Sequence, residues 1–191
     1  MTRTNSPTTV THGAHVRRPA LQYWPVALGL AAATFQIVTG VAADAVAITV
    51  AVAASCYLAA AALGQPWIAW AGTLAGSAIV TFSEIAGIAW WLGLTLYTAV
   101  LGVAGLLRRT SARCLTAQGL AMLGFGSLAV VAVLISPRLG LALAGVALTS
   151  HAAWDYLHWR RNEVVPHSLA EFCFVLDIPL GTAAIMLAIN R

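Results

Sequence analysis

A chain of 191 residues that is 60% hydrophobic and only 8% charged cannot be an ordinary soluble domain, because such domains average about 25% charged residues. The net charge of +4 comes from ten arginines without any lysine, which excludes a retinal-type Schiff base. Because these arginines flank apolar runs, we expect them to orient membrane helices rather than to bind nucleic acid.

The first part of the chain, residues 1–22, is polar and has no apolar periodicity. It is predicted to be a disordered cytoplasmic tail, followed by one all-α transmembrane bundle over residues 23–191. Arg17 and Arg18 precede an apolar run that ends in Val41-Ala42-Ala43, a pattern that also fits a cleaved signal peptide. We expect instead that this first helix is retained in the mature protein.

Seven apolar runs follow, each close to the roughly 20 residues that a bilayer span requires. The breaks between them contain glycine, proline, serine or charged residues, and the break between the third and fourth runs is placed at Ser83-Glu84. Several breaks are very short, so consecutive helices should pack as antiparallel neighbours. The predicted spans are 24–40, 43–64, 67–83, 86–107, 115–135, 139–160 and 169–189.

The arginines indicate the direction of these spans. If the N-terminus is cytoplasmic, eight arginines lie at inner helix ends and two at outer ends. This asymmetry follows the positive-inside rule and predicts a multi-pass protein of the cytoplasmic membrane with its C-terminus outside. The inner set is Arg3, Arg17, Arg18, Arg108, Arg109, Arg113, Arg160 and Arg161, and the outer set is Arg138 and Arg191.

Small residues recur at positions where helices could approach one another closely. They include Gly72, Gly76, Gly119, Gly124, Gly126, Gly140 and Gly145. The three cysteines show no spacing typical of a disulfide framework or a metal site, and they are predicted to be apolar packing residues.

Ionisable side chains are concentrated in the last two spans. At about 100° per residue, His151, Asp155 and His158 share one face of the sixth helix. Asp177 of the seventh helix lies at about the depth of His151 on a face of small residues, so these two side chains are predicted to face each other. Pro179 should kink the helix beside Asp177. Ionisable groups at membrane depth are costly and are functional candidates by default.

Three interpretations remain open for this group. In the first, His151, Asp155, His158 and Asp177 bind Zn, Fe or Mn. The protein is then an enzyme for a lipid or isoprenoid substrate, with Asp155, Asp177 and His151 as catalytic residues, and a metal-free acid–base enzyme is a variant. In the second, an Asp–His pair carries protons or ions in a small transporter. In the third, the carboxylates only fix helix packing. The expected partners are membrane lipids and a lipid-soluble substrate, without nucleic acid.

Overall fold

The computed structural model describes residues 20–190, and this part of the chain is entirely helical. A 3₁₀ turn at Ala20–Tyr23 leads into seven α-helices. Residues 1–19 and Arg191 lie outside the described part, and with them most of the predicted tail and its arginines. The helices are α1 (Trp24–Thr39), α2 (Ala43–Leu63), α3 (Ile68–Ile85), α4 (Trp90–Leu107), α5 (Ala112–Leu134), α6 (Pro137–Arg161) and α7 (His167–Asn190).

Five of the seven described helices have both the length and the apolarity of a membrane span, namely α2, α3, α4, α5 and α7. The helix α1 is apolar but has only 16 residues. The helix α6 has 25 residues, enough for about 37 Å at 1.5 Å per residue, but its ionisable side chains make it less apolar than the other five. The chain is therefore a multi-pass helical membrane protein, and that all seven helices cross the bilayer stays a prediction.

The boundary between α3 and α4 is not where it was predicted. Helix α3 continues through Ser83 and Glu84, and residues 86–89 connect it to α4, with Gly87 at φ +69°. Ser83 is buried because its side chain packs against Gly93 of α4. The predicted break was wrong because Ser83, a residue that can end a helix, serves here as a helix-packing residue.

The helix α2 lies at the centre of the bundle. Every residue from position 50 to position 62 is buried, and α2 contacts α3, α4, α5, α6 and α7. Its sequence is apolar on all sides, as expected for a helix that is surrounded by others. The central position of α2 brings its polar side chains next to those of α6.

Helices α6 and α7 approach each other closely at a pair of glycines. A Cβ atom on Gly145 would lie 2.8 Å from the carbonyl oxygen of Gly181, and a Cβ atom on Gly181 would lie 2.9 Å from that of Gly145. The two backbones are therefore nearer than larger side chains would allow. The crossing lies within two helical turns of His151 and Asp177, so it determines how closely these residues meet.

The other predicted small-residue contacts are confirmed only in part. A Cβ atom on Gly72 would lie 2.9 Å from Cβ of Ala59, at a close contact between α3 and α2. A Cβ atom on Gly119 or Gly124, in contrast, would have no neighbouring atom within 4 Å. The prediction of close helix packing was wrong at these two residues, because no neighbouring helix approaches them.

Candidate functional site

Three of the four predicted site residues meet inside the bundle. His151 and Asp155 lie one turn apart on α6, and Asp177 projects from the middle of α7. Nδ1 of His151 is 2.9 Å from Oδ2 of Asp177 and 3.3 Å from Oδ2 of Asp155. One ligand atom of each residue lies within 4.8 Å of the other two. The predicted contact between His151 and Asp177 is confirmed, and these three residues are called the His–Asp site below.

The His–Asp site is sealed from solvent. The exposed fraction is 0% for His151, 0% for Asp155 and 1% for Asp177. Within residues 20–190, the ion pairs of the two carboxylates are with His151. A protonated His151 balances the charge of one carboxylate only. Burying the charge of the second carboxylate without a partner would cost several kcal/mol of folding free energy. The site therefore needs an additional proton or a bound cation.

Three atoms of the site are buried without a hydrogen-bond partner, namely Nε2 of His151, Oδ2 of Asp155 and Oδ1 of Asp177. The N–H at Nδ1 of His151 points to one acceptor, and the shorter contact shows that this acceptor is Asp177 rather than Asp155. Native proteins pair more than about 90% of their buried polar groups. Three unpaired atoms at one point are typical of a site that binds a ligand or a proton.

Tyr57 of α2 is a further member of the site, and it is not among the residues predicted from the sequence. Its hydroxyl donates a hydrogen bond of 2.7 Å to Oδ1 of Asp155, and its ring packs edge-on against His151 with ring centroids 5.6 Å apart. The bond fixes the orientation of the Asp155 carboxylate. The only signal in the sequence is that Tyr57 is the sole aromatic residue of the alanine-rich helix α2.

His158 lies on the same face of α6, but the structure does not bring it into the His–Asp site. Its Nδ1 is 2.8 Å from the carbonyl oxygen of Trp154, and its Nε2 is 2.9 Å from Nε2 of Gln118 on α5. Since a carbonyl only accepts, Nδ1 donates and Nε2 accepts from the amide of Gln118. Oε1 of Gln118 in turn accepts from the indole of Trp154 over 3.2 Å. Both nitrogens of His158 are thus already bonded within the protein.

A small pocket of about 170 Å³ between α2, α3 and α7 reaches the His–Asp site from the side. Asp177 lines it together with Thr49, Thr73 and Ser77. These residues lie well inside their helices, and the side chain of Ser77 is exposed. The pocket therefore opens on the lateral face of the bundle, which lipid surrounds in a multi-pass protein.

Aromatic side chains separate this pocket from the end of the bundle at which α1 and α7 begin. Trp70 of α3 packs against Trp24 of α1 and Phe172 of α7, with ring centroids 5.3 Å apart in both pairs. The indole of Trp70 also donates a 3.2 Å hydrogen bond to Ser168. These contacts join α1, α3 and α7 at this end of the bundle.

Comparisons with models of protein families, with curated proteins and with solved structures find no match to this chain. The chemistry of the His–Asp site and of its pocket is thus the basis for a functional assignment.

Proposed function

We propose that this protein is an integral membrane enzyme that acts on a lipid or isoprenoid substrate at His151, Asp155 and Asp177. The observation that supports it best is that two buried carboxylates and an imidazole converge beside a laterally open pocket. A lipid-soluble molecule would enter the pocket that Asp177 lines directly from the bilayer, whereas a hydrophilic molecule would have to cross lipid to enter this pocket. An ionisable group at this depth and next to such a pocket is suited to act on the substrate.

A divalent cation fits the donors of the His–Asp site. Two carboxylates and one imidazole suit Zn, Fe or Mn, and the charge of +2 balances both carboxylates without an arginine or lysine. Binding through Nδ1 of His151 would displace the proton that Nδ1 shares with Asp177. The distances of 2.9 and 3.3 Å from this nitrogen to Oδ2 of Asp177 and of Asp155 are close to the roughly 3.0–3.4 Å expected between neighbouring ligands on bonds of about 2.1 Å. When bound, such an ion activates water or polarises a carbonyl or phosphoryl oxygen.

The surrounding residues would support this chemistry in distinct ways. Tyr57 holds the Asp155 carboxylate through its second oxygen, as partners of metal ligands commonly do. Asp177 is the site residue that lines the pocket, so it would contact the substrate. The burial of His151 and Asp155 would exclude bulk water from the reaction.

Elemental analysis of detergent-purified protein tests the cation. We expect about one equivalent of Zn, Fe or Mn in the wild type, because His151, Asp155 and Asp177 form a single set of ligands. We expect this metal to be lost in His151→Ala. His158→Ala is the matched control, since it removes a buried histidine of the same helix that is bonded to Gln118 instead. Metal lost equally in both variants would contradict the ligand set. The absence of metal from all three proteins would leave the metal-free enzyme.

Mass spectrometry of lipid extracts tests the enzyme itself. Cells that express the wild type should show a changed lipid or isoprenoid species that is missing with Asp177→Asn. Asp44→Asn is the control, because it makes the same chemical change at an exposed residue, whose partner Trp90 can still donate to it. Identical extracts from all cells that contain folded protein would contradict the enzyme proposal.

A small proton or ion transporter is the second candidate. It is favoured by a polar pocket of about 630 Å³ at the end of the bundle where α6 ends. His158 lines this pocket and lies about one turn from Asp155 on α6. Ion sites of transporters commonly lie near the membrane midplane. Purified protein in vesicles should then show proton or ion flux that Asp177→Asn abolishes and Asp44→Asn retains.

The proposed topology has all seven helices across the cytoplasmic membrane, with the N-terminus inside. The connections from α4 to α5 and from α6 to α7 lie at one end of the bundle, and a single described arginine, Arg138, lies at the other end. The positive-inside rule assigns the arginine-rich end to the cytoplasm. The arginines at that end are Arg108, Arg109, Arg113, Arg160 and Arg161.

A further inference from the structure

The pocket at the arginine-rich end of the bundle has the features of a separate binding site. It encloses about 630 Å³ between α5, α6 and the connection that follows α6. Arg113, Arg161 and Glu163 line it and are exposed, whereas Gln118 and His158 line it and are buried. The pocket thus has a charged rim and a polar floor.

The floor of the pocket is held in one arrangement by its own hydrogen bonds. Gln118 is 2% exposed and His158 is 9% exposed. The amide of Gln118 donates to Nε2 of His158 over 2.9 Å and accepts from the indole of Trp154 over 3.2 Å. An amide nitrogen carries two hydrogens, and the bond to His158 uses one of them.

The charges of the rim favour an anion. In the described part of the chain, no ion pair joins Arg113 or Arg161 to a carboxylate. Two guanidinium groups against the one carboxylate of Glu163 leave the rim with a net charge of +1. The paired N–H groups of arginine suit phosphate oxygens particularly well.

The side wall of the pocket is apolar and opens laterally. Leu157 lines the pocket and is 41% exposed, and Ala117 and Val164 add further apolar surface. A ligand that fills this space has a charged group at the helix ends and an apolar part along the groove between α5 and α6. A phospholipid has this distribution of charge and apolar surface.

We propose that this pocket binds the headgroup of an anionic phospholipid, with the phosphate at Arg113 and Arg161 and the acyl chains along Leu157. Basic pockets between membrane helices on the cytoplasmic side are recurrent headgroup sites. Glu163 lies on the same rim and repels the headgroup, so it limits the affinity. The proposal is independent of the reaction at the His–Asp site, because neither Asp155 nor Asp177 lines this pocket.

Native mass spectrometry of delipidated protein titrated with phosphatidylglycerol measures this binding. Arg113→Gln and Arg161→Gln should each weaken the lipid affinity about fivefold, the effect of one basic residue near an anionic lipid. Glu163→Gln should strengthen it, because the repulsive charge is removed. Arg108→Gln is the matched control, since Arg108 is exposed at the same end of the bundle but does not line the pocket.

Three results would overturn the proposal. An equal loss in Arg108→Gln would show that general surface charge attracts the lipid. Equal affinity for phosphatidylcholine would show that the net charge of the headgroup is not recognised. Displacement of phosphatidylglycerol by an equal concentration of glycerol phosphate would identify a soluble phosphate ester as the occupant. Thermal unfolding of each variant without lipid verifies that the fold is intact, and the opposite effects of Glu163→Gln and Arg113→Gln cannot arise from misfolding.

Discussion

Asp155 and Asp177 both face Nδ1 of His151, in an interior where each unbalanced charge costs several kcal/mol. Without a bound cation, one of the two carboxylates must take up a proton on burial, so we expect their proximity to weaken the metal-free fold. The same arrangement makes the site able to bind a cation. Functional sites commonly reduce stability in this way. A purely structural pairing of the carboxylates would have the opposite effect, because removal of either carboxylate would then weaken the protein.

The stability of Asp177→Asn separates these two roles. An asparagine still accepts the hydrogen bond from His151 and removes the carboxylate that must take up a proton or a cation on burial, so the chelator-treated variant should gain about 1–2 kcal/mol over the chelator-treated wild type. Denaturant unfolding in detergent, followed by tryptophan fluorescence, measures the difference. Asp44→Asn, at an exposed position, should change the free energy of unfolding by less than about 0.5 kcal/mol. A loss of stability in Asp177→Asn would support a structural role for the pair.

How far the site could be predicted depends on the kind of information that each residue carries. The periodicity of one helix gives the direction of a side chain, and this was enough to predict the contact between His151 and Asp177. It does not identify the neighbouring helix. His158 therefore shared the predicted face but meets Gln118 of α5, and Tyr57 of the central helix α2 was not selected.

At the level of helices, the crossing of α6 and α7 holds the His–Asp site together. A methyl group on Gly145 would lie 2.8 Å from a backbone oxygen of α7, and backbone cannot rotate away as a side chain can. Gly145→Ala should therefore separate the helices and destabilise the protein by about 1–3 kcal/mol, the usual cost of overpacking. It should also reduce the metal content, because His151 moves away from Asp177.

Gly124→Ala is the control for this prediction. It adds the same methyl group to a helix, but no atom lies within 4 Å of the new position. Alanine also favours the helix by up to about 1 kcal/mol over glycine, so this variant should be at least as stable as the wild type. Thermal unfolding of both variants in the same detergent makes the comparison. Equal stability of Gly145→Ala and the wild type would show that the crossing tolerates a wider separation.

The positions of the helices were more predictable than their contacts. Apolar runs and the residues that interrupt them located all seven described helices, because both signals lie within single stretches of sequence. The boundary of α3 was misplaced, since the burial of Ser83 depends on Gly93 in another helix. Likewise, Gly119 and Gly145 are the same residue type, and only the arrangement of the bundle determines which of them meets a neighbouring backbone.

At the level of the whole molecule, the position of the His–Asp site relative to the membrane depends on whether α6 spans the bilayer. This helix is the most polar of the long helices. Its arginines lie exposed at its two ends, and the ionisable residues His151, Asp155 and His158 between them are buried against other helices. Polar groups within a membrane are tolerated when they face the interior of a bundle. The low apolarity of α6 is therefore compatible with a span, provided that its two ends lie on opposite sides.

Cysteine labelling in intact cells tests this arrangement of α6. Ser136→Cys and Glu163→Cys place a thiol just before and just after the helix, in a background in which the partly exposed Cys114 is replaced by serine. Because about 37 Å of helix exceeds the roughly 30 Å hydrocarbon core, we expect a membrane-impermeant maleimide to label position 136 in intact cells and position 163 only after lysis. Ala42→Cys, exposed between α1 and α2, is the control for the outer side. Labelling of positions 136 and 163 from the same side would show that α6 does not cross the membrane, and His151 would then lie outside the bilayer core.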